Sequence, residues 1–396
     1  MKLTRTRLLG CLSLLSLVSC IDEIGLDSTD FKKILVVEST LTNAYEQHEV
    51  RLSNTYPLDQ TGPSYESNAT VEIRDDQAQV YTFQALDSGR YVSDVAFAAQ
   101  ADRTYQLHIE LTNGQQYTSS PTTLTSVTQL DQVRVDMESY EDEQQFVIKV
   151  DSYDPTGMAQ YYRYEYEETY QIVAPYWSAY EASIVSDVAP FRVDSILKTR
   201  QDRVCYATRI SNEIIQTETT SLAEDRVQQF PVRRLSVNDT KVGHRYSILV
   251  KQYVQSAEAN AYLQSLQKFS QNGNLFSQIQ AGFLKGNIQA VQGDNQVVGF
   301  FEVSSVQRKR LFFNYRDFIV DGRPPYFTEC NPQAPLLIDP EGSSPLIAQI
   351  NSGRFVFYKT NMMRNENAPG PYLMVDKACG DCTTYGSNIK PSFWVD

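Results

Sequence analysis

The chain has 396 residues, 41% hydrophobic and 21% charged, the composition of a folded globular protein with room for two domains. Thirty-five basic residues stand against 48 acidic ones, and the net charge of −13 argues against a nucleic-acid binder, which needs a basic surface. The only histidines are His48, His108 and His244, which argues against most zinc enzymes and Ser-His-Asp hydrolases.

Residues 1–19 read as a lipoprotein signal peptide. Lys2, Arg5 and Arg7 precede the apolar run 8–18, which is too short to span the ~30 Å of a bilayer core. Leu17-Val18-Ser19-Cys20 resembles a bacterial lipobox, in which the cysteine thiol takes a diacylglyceryl group and becomes the new N-terminus. The plain alternative is an ordinary signal peptide with a chance cysteine. Several acyl chains on Cys20 anchor stably, where a single chain is marginal. Residues 20–33 form an acidic tether with Asp22, Glu23, Asp27 and Asp30. Acids directly after the lipid cysteine resemble the surface-export signal of Bacteroidota lipoproteins; otherwise they are a solvated spacer. Cleavage before Cys20 removes three positive charges and no negative ones, leaving a mature charge of −16. Anionic headgroups repel such a body, so the lipid must do the anchoring.

From Ile34 the hydrophobic pattern has a period of two. Segments 34–41, 49–53, 69–74, 80–83, 90–92, 104–111 and 116–119 alternate, with turns at Asp75-Asp76-Gln77, Ser88-Gly89 and Asn113-Gly114. Seven short strands at this spacing predict an immunoglobulin-like β-sandwich over residues 34–125. A larger β-rich domain, 126–396, follows. Its strands are expected at 133–137, 146–150, 161–170 and 354–358, and as a hairpin of 286–288 with 297–303, turned at Gly293-Asp294-Asn295, whose second strand ends at 310–313. Residues 320–352 are rich in Pro, Gly, Ser and Asn and read as loops. One amphipathic helix is predicted near 256–272, with Ser256 as N-cap, Ala259, Tyr262, Leu263, Leu266 and Phe269 in helical register, and Gly273 at the C-cap. The fold class is therefore mainly β.

Candidate chemistry is sparse. Asp151 and Asp154 share a loop that lacks the ligand spacing of an EF-hand. Ser265-Leu266-Gln267-Lys268 matches S-x-x-K, but inside the helix and without partner motifs. Paired carboxylates for glycoside hydrolysis are unavoidable by chance among 48 acids. The reading is a non-enzyme with no catalytic residues, no metal site and no cofactor beyond the lipid on Cys20. Cys205, Cys330, Cys379 and Cys382 remain in the mature chain and predict two disulfides, with three possible connectivities. Cys379-Gly380-Asp381-Cys382 is alternatively a redox pair or half a zinc site. Tyr162, Tyr164, Tyr166 and Tyr170 share one face of a strand, with Trp177 close behind. Tyrosine suits recognition surfaces and half-buried sheets equally, so this face is either a ligand- or partner-binding surface or sheet packing. Asp27-Ser28-Thr29 and Asp194-Ser195-Ile196 resemble short Bacteroidota O-glycosylation sites.

Taken in order, several motifs carry a family resemblance. They are Cys20-Ile21-Asp22-Glu23-Ile24, Leu35-Val36-Val37-Glu38, Tyr246-Ser247-Ile248-Leu249-Val250-Lys251-Gln252-Tyr253 and Glu258-Ala259-Asn260-Ala261-Tyr262. Gly286-Asn287-Ile288, Gly299-Phe300-Phe301-Glu302-Val303, Cys379-Gly380-Asp381-Cys382 and Phe393-Trp394 follow. The chain resembles the Bacteroidota lipoproteins grouped as domain of unknown function 4249. It departs in having Tyr206 directly after Cys205 and only Gly386 after the last cysteine pair. The resemblance implies an outer-membrane lipoprotein, facing the cell exterior, that partners a TonB-dependent receptor in nutrient uptake. The alternative is a stand-alone structural or adhesive surface lipoprotein.

Overall fold

The computed structural model describes residues 33–57, 60–271 and 284–396. The signal peptide, Cys20, nearly all of its tether and Gly273 lie outside the described residues.

Eight strands come first: β1 (Leu35–Thr42), β2 (Glu49–Asn54), β3 (Thr70–Asp75), β4 (Val80–Ala85), β5 (Arg90–Ser93), β6 (Thr104–Glu110), β7 (Gln116–Ser119) and β8 (Thr122–Thr123). Asn113-Gly114 turns β6 into β7, with Gly114 at φ +81°, where glycine pays no steric cost. The next group is β9 (Leu130–Tyr140), β10 (Glu143–Asp154), β11 (Tyr161–Val173), β12 (Tyr180–Ser186), β13 (Arg192–Leu197), β14 (Val204–Ile210), β15 (Ile215–Glu218), β16 (Asp225–Ser236) and β17 (Arg245–Val254). Helix α1 (Ala257–Gln271) begins at Ser256, whose Oγ accepts from Ala259 N at 3.1 Å. Then come β18 (Ile288–Ala290), β19 (Val297–Asn314), α2 (Pro345–Asn351), β20 (Phe355–Thr360), β21 (Tyr372–Asp376) and the short α3 (Lys377–Gly380). The protein is mainly β, as expected. Helix α2 falls in a stretch read as loop. Its signals are local: Ser344 caps it, accepting from Ile347 N, and Pro345 opens it.

The N-terminal strands do not close on themselves at residue 125. They lie in one continuous 14-stranded sheet as the run β19-β1-β2-β5-β4-β3-β6-β7-β18, so residues from beyond 285 flank them on both sides. The boundary drawn at 125 is corrected accordingly. Strand β1 pairs in parallel with the first half of β19, from Leu35 opposite Val297 to Thr42 opposite Ser304. Strand β18 pairs with β7. The Asn287 side chain then bridges the two ends, donating to Phe301 O at 2.8 Å and accepting from Phe301 N at 2.7 Å. It thereby imitates a strand neighbour. Two glycines allow this approach: a β-carbon on Gly286 would overlap the Gly299 carbonyl, and one on Gly299 would overlap the Val37 carbonyl. Inside lies a core of Val37, Leu41, Leu52, Ile73, Leu107 and Phe301.

Strand β19 continues into the second unit. Its second half pairs antiparallel with β17, from Ser305 opposite Val254 to Asn314 opposite Arg245. The other end of the large sheet, β14-β11-β17-β19, packs against a separate three-stranded sheet, β16-β10-β9. One 18-residue strand thus contributes to two cores, Phe301 and Val303 to the first and Phe313 to the second. A small third unit joins the hairpins β12–β13 and β20–β21 with α2 around Val193, Leu346, Phe357 and Met374.

Candidate functional site

The tyrosine strand is β11. Its alternation does segregate Tyr162, Tyr164, Tyr166 and Tyr170, but onto the face between the two sheets, where each is at most 4% exposed. They pack with Phe146, Ile148, Val150 and Leu235. Tyr164 stacks on Phe230 at 5.4 Å between ring centroids. Three of their hydroxyls donate hydrogen bonds: Tyr162 to Asp225 at 2.8 Å, Tyr164 to Gln252 at 3.2 Å and Tyr166 to Glu213 at 3.0 Å. Burial and the Asp225 carboxylate raise the Tyr162 phenol far above its ordinary value. The binding-surface reading is therefore corrected: these rings fill the core, the Tyr162 and Tyr164 hydroxyls reaching acceptors buried with them and Tyr166 reaching the exposed Glu213 at its edge. Trp177 is also occupied. Its indole Nε1 donates to the buried Asp202 at 2.5 Å, and the Arg203 guanidinium lies 5.5 Å over its ring.

The same strand carries a buried charge network. Glu168, 3% exposed, accepts two bonds from Arg233 at 3.1 and 3.2 Å and one from the Tyr246 hydroxyl at 2.6 Å. Lys241 completes the set at 3.4 Å. These groups join β11, β16, β17 and the turn before β17. Removing the acid alone leaves Arg233 and Lys241 only longer pairs, to Glu213 at 4.0 Å and Asp239 at 3.6 Å, so Glu168→Ala should destabilise the fold by about 3 kcal/mol. Glu168→Gln, which keeps acceptor capacity, should cost less. Urea midpoints of the two variants check this; equal midpoints would show that the charge contributes nothing.

The sequence motifs resolve into structure. Asp154 accepts from Thr156 N and Oγ1, Met158 N and Ala159 N. Burial alone would raise its carboxyl, but these donors hold it below the usual range. Asp151 is bound by Arg134 at 2.8 Å and Gln229 N at 2.6 Å. Ser265 spends its hydroxyl on Ala261 O, one turn back in α1. The cysteines pair as Cys205–Cys382 and Cys330–Cys379. Each member of the closely spaced pair thus bonds to a distant partner, which replaces the redox and zinc readings.

Opposite the tyrosine face, β11 presents Arg163 and Glu165. Arg163 is 9% exposed, lies 3.3 Å from Glu302, pairs with Glu165, and sits 4.1 Å over the Tyr253 ring. Beside this cluster, a cleft of about 700 Å³ opens between α1, residues 120–125 and residues 284–287. Tyr262 and Phe300 form its aromatic wall, with ring centroids 5.6 Å apart. Burial, helped by Glu38, pushes the Tyr262 phenol up to about 12. Thr122, Thr123, Glu258 and Lys285 supply polar edges. This combination suits a small polar ligand with one flat apolar face. Tyr262 is legible in the sequence as part of a helical stripe and of a family motif, not as a wall of a cleft; the cleft draws on four separated segments, and no local pattern marks it.

Residues 21–310 match the family model described as domain of unknown function (DUF4249). The chain belongs to this family. In the DUF4249 fold seen here, Gly286-Asn287 and Gly299-Phe300-Phe301 are the residues that close the N-terminal sheet, which gives those motifs a physical reason. No curated protein sequence matches the chain. A solved structure, trypsin-activated α-2-macroglobulin from Escherichia coli, aligns at 9% identity over 57% of this chain and 15% of that one, with a TM-score of 0.16. A likeness this weak carries no argument. Among the described residues no helix is long and apolar enough to cross a membrane, and no group of three or more His, Cys, Asp or Glu is placed to hold a metal ion.

Proposed function

We propose that this DUF4249 protein is an outer-membrane lipoprotein, displayed on the cell surface, that acts as the substrate-binding accessory of a TonB-dependent transporter. The observation that carries this reading is Leu17-Val18-Ser19-Cys20 followed by Asp22-Glu23, a lipobox with an acidic export signal. The cleft beside α1 supports it as a place for a small polar nutrient. The acidic body supports it too, since attachment then falls to the lipid. The test is affinity purification of the tagged, lipidated protein from detergent-solubilised outer membranes. A TonB-dependent barrel should be recovered with the native protein. The Cys20→Ala variant should leave the membrane fraction and recover none. Native protein that is membrane-bound yet brings down no barrel would overturn the transporter reading.

A further inference from the structure

The two hairpins of the third unit rise from one base. Tyr176 N, just before β12, donates to Cys379 O at 3.1 Å, and β21 runs directly into α3, which carries Cys379. At their far ends the Tyr372 hydroxyl donates to Val193 O at 2.9 Å. The two tips, residues 187–191 and 361–371, therefore lie side by side. Beside the exposed polar residues Asp187, Arg364, Asn365, Glu366 and Asn367 they present large apolar side chains: Met362 is 87% exposed, Met363 85%, Val188 67% and the adjoining Val185 54%.

The methionine tip is a built loop. Asn361 is 7% exposed, and its amide donates to Ala368 O at 2.8 Å and Gly370 O at 2.9 Å. Asn365 Oδ1 accepts from Asn367 N and Ala368 N, both at 2.9 Å. Two asparagines thus spend their hydrogen bonds on holding the adjacent methionines in water. Single exposed apolar residues are ordinary, but three on two adjoining tips, with Val185 next to one of them in β12, form a patch.

We propose that these paired tips are a protein-docking surface, received by a partner with a concave apolar pocket of low charge. The local charge points that way. Arg192, Lys359 and Arg364 are matched by Asp187, Asp194 and Glu366, a neutral patch on a chain of net −13. A membrane would be met by Trp, Tyr or surplus Lys and Arg at the tips, and neither tip carries them. Methionine is unbranched and adapts to irregular apolar pockets, which suits insertion into a protein groove. The partner's identity as the transporter rests on the functional reading above; the surface itself does not.

The test uses the full lipidated protein in intact cells. A photo-crosslinking amino acid replaces Met363 or, as a control on the N-terminal unit, the exposed Tyr45. In parallel, Met362→Asp is combined with Met363→Asp. Side chains this exposed should leave the melting temperature within about 2 °C, so folding and docking separate. The expected result is a Met363 adduct with the barrel protein, none from Tyr45, and at least tenfold less barrel recovered with the double variant. Unchanged recovery with the double variant, or adducts only with lipid, overturns the docking surface. If native protein recovers no barrel, the transporter reading falls by itself. The surface then stands only if Met363 crosslinks to one identified protein and Val188→Asp abolishes that adduct; no protein adduct overturns it.

Discussion

Residues 34–125 expressed as a separate chain should remain unfolded, although they contain β1 through β8. The missing pieces are specific. Without β19, the β1 edge loses its parallel partner from Leu35 to Thr42. Without β18 and Asn287, the sheet loses its closing bridge. The core loses Ile288, Phe301 and Val303, all buried. Burial of each such side chain stabilises by about 1.5–3 kcal/mol. Three of them approach the whole margin of a small domain, about 5–15 kcal/mol. Circular dichroism of the fragment should show no cooperative melt. The same fragment joined through a flexible linker to residues 286–304 should recover one. A cooperative melt without the added strands, or none with them, would show that closure from the second half is not what stabilises this unit.

The same closure shows where sequence reading stops. Period-two alternation marks β1, β3 and β6 because each has one buried and one solvated face. Nothing local says which strand lies beside β1. Its parallel partner starts more than 250 residues away, and parallel pairing leaves no turn between the strands to read. Strand β19 reads as the second strand of a hairpin with 286–288, running from 297 and ending at 310–313; the structure instead pairs β18 with β7, while β19 does run on through the polar stretch Gln307-Arg308-Lys309-Arg310. In the structure that stretch is still paired, opposite Gln252 to Leu249 of β17. The tyrosine strand shows a different limit. Alternation fixed which side chains share a face, but a tyrosine face is equally consistent with a core whose hydroxyls find buried acceptors. Asp225 and Gln252, which make it a core, are 63 and 88 residues away in sequence. The cleft was illegible for the same reason as the sheet closure, being assembled from distant segments. The paired tips escaped notice because Met362-Met363 looks like any short apolar pair until its solvent exposure is known.

Removing the Cys205–Cys382 bond should be the most damaging point change in the second unit. Its partners are 177 residues apart, and constraining an unfolded loop of that length is worth about 5 kcal/mol on chain-entropy grounds. The bond also holds the C-terminal segment against β14. Around it Cys382 N donates to Asp202 O at 2.9 Å, and Tyr206 and Ser387 exchange backbone bonds at 2.8 and 2.9 Å. Further along, Trp394 packs edge-on against Tyr206 and Phe312, and the Arg310 guanidinium lies 3.6 Å over Phe393. The Cys205→Ala, Cys382→Ala double variant should lower the urea midpoint more than the Cys330→Ala, Cys379→Ala pair, whose loop spans only 49 residues and is worth about 4 kcal/mol on the same basis. Access reverses the order under reductant. Cys205 and Cys382 are both fully buried, whereas Cys330 is half-buried in a surface loop. Mild dithiothreitol on the folded protein should therefore open Cys330–Cys379 first and reach Cys205–Cys382 only as the chain unfolds. Mass spectrometry of alkylated peptides along a reduction time course reads that order, and early alkylation of Cys205 would refute the buried-staple assignment.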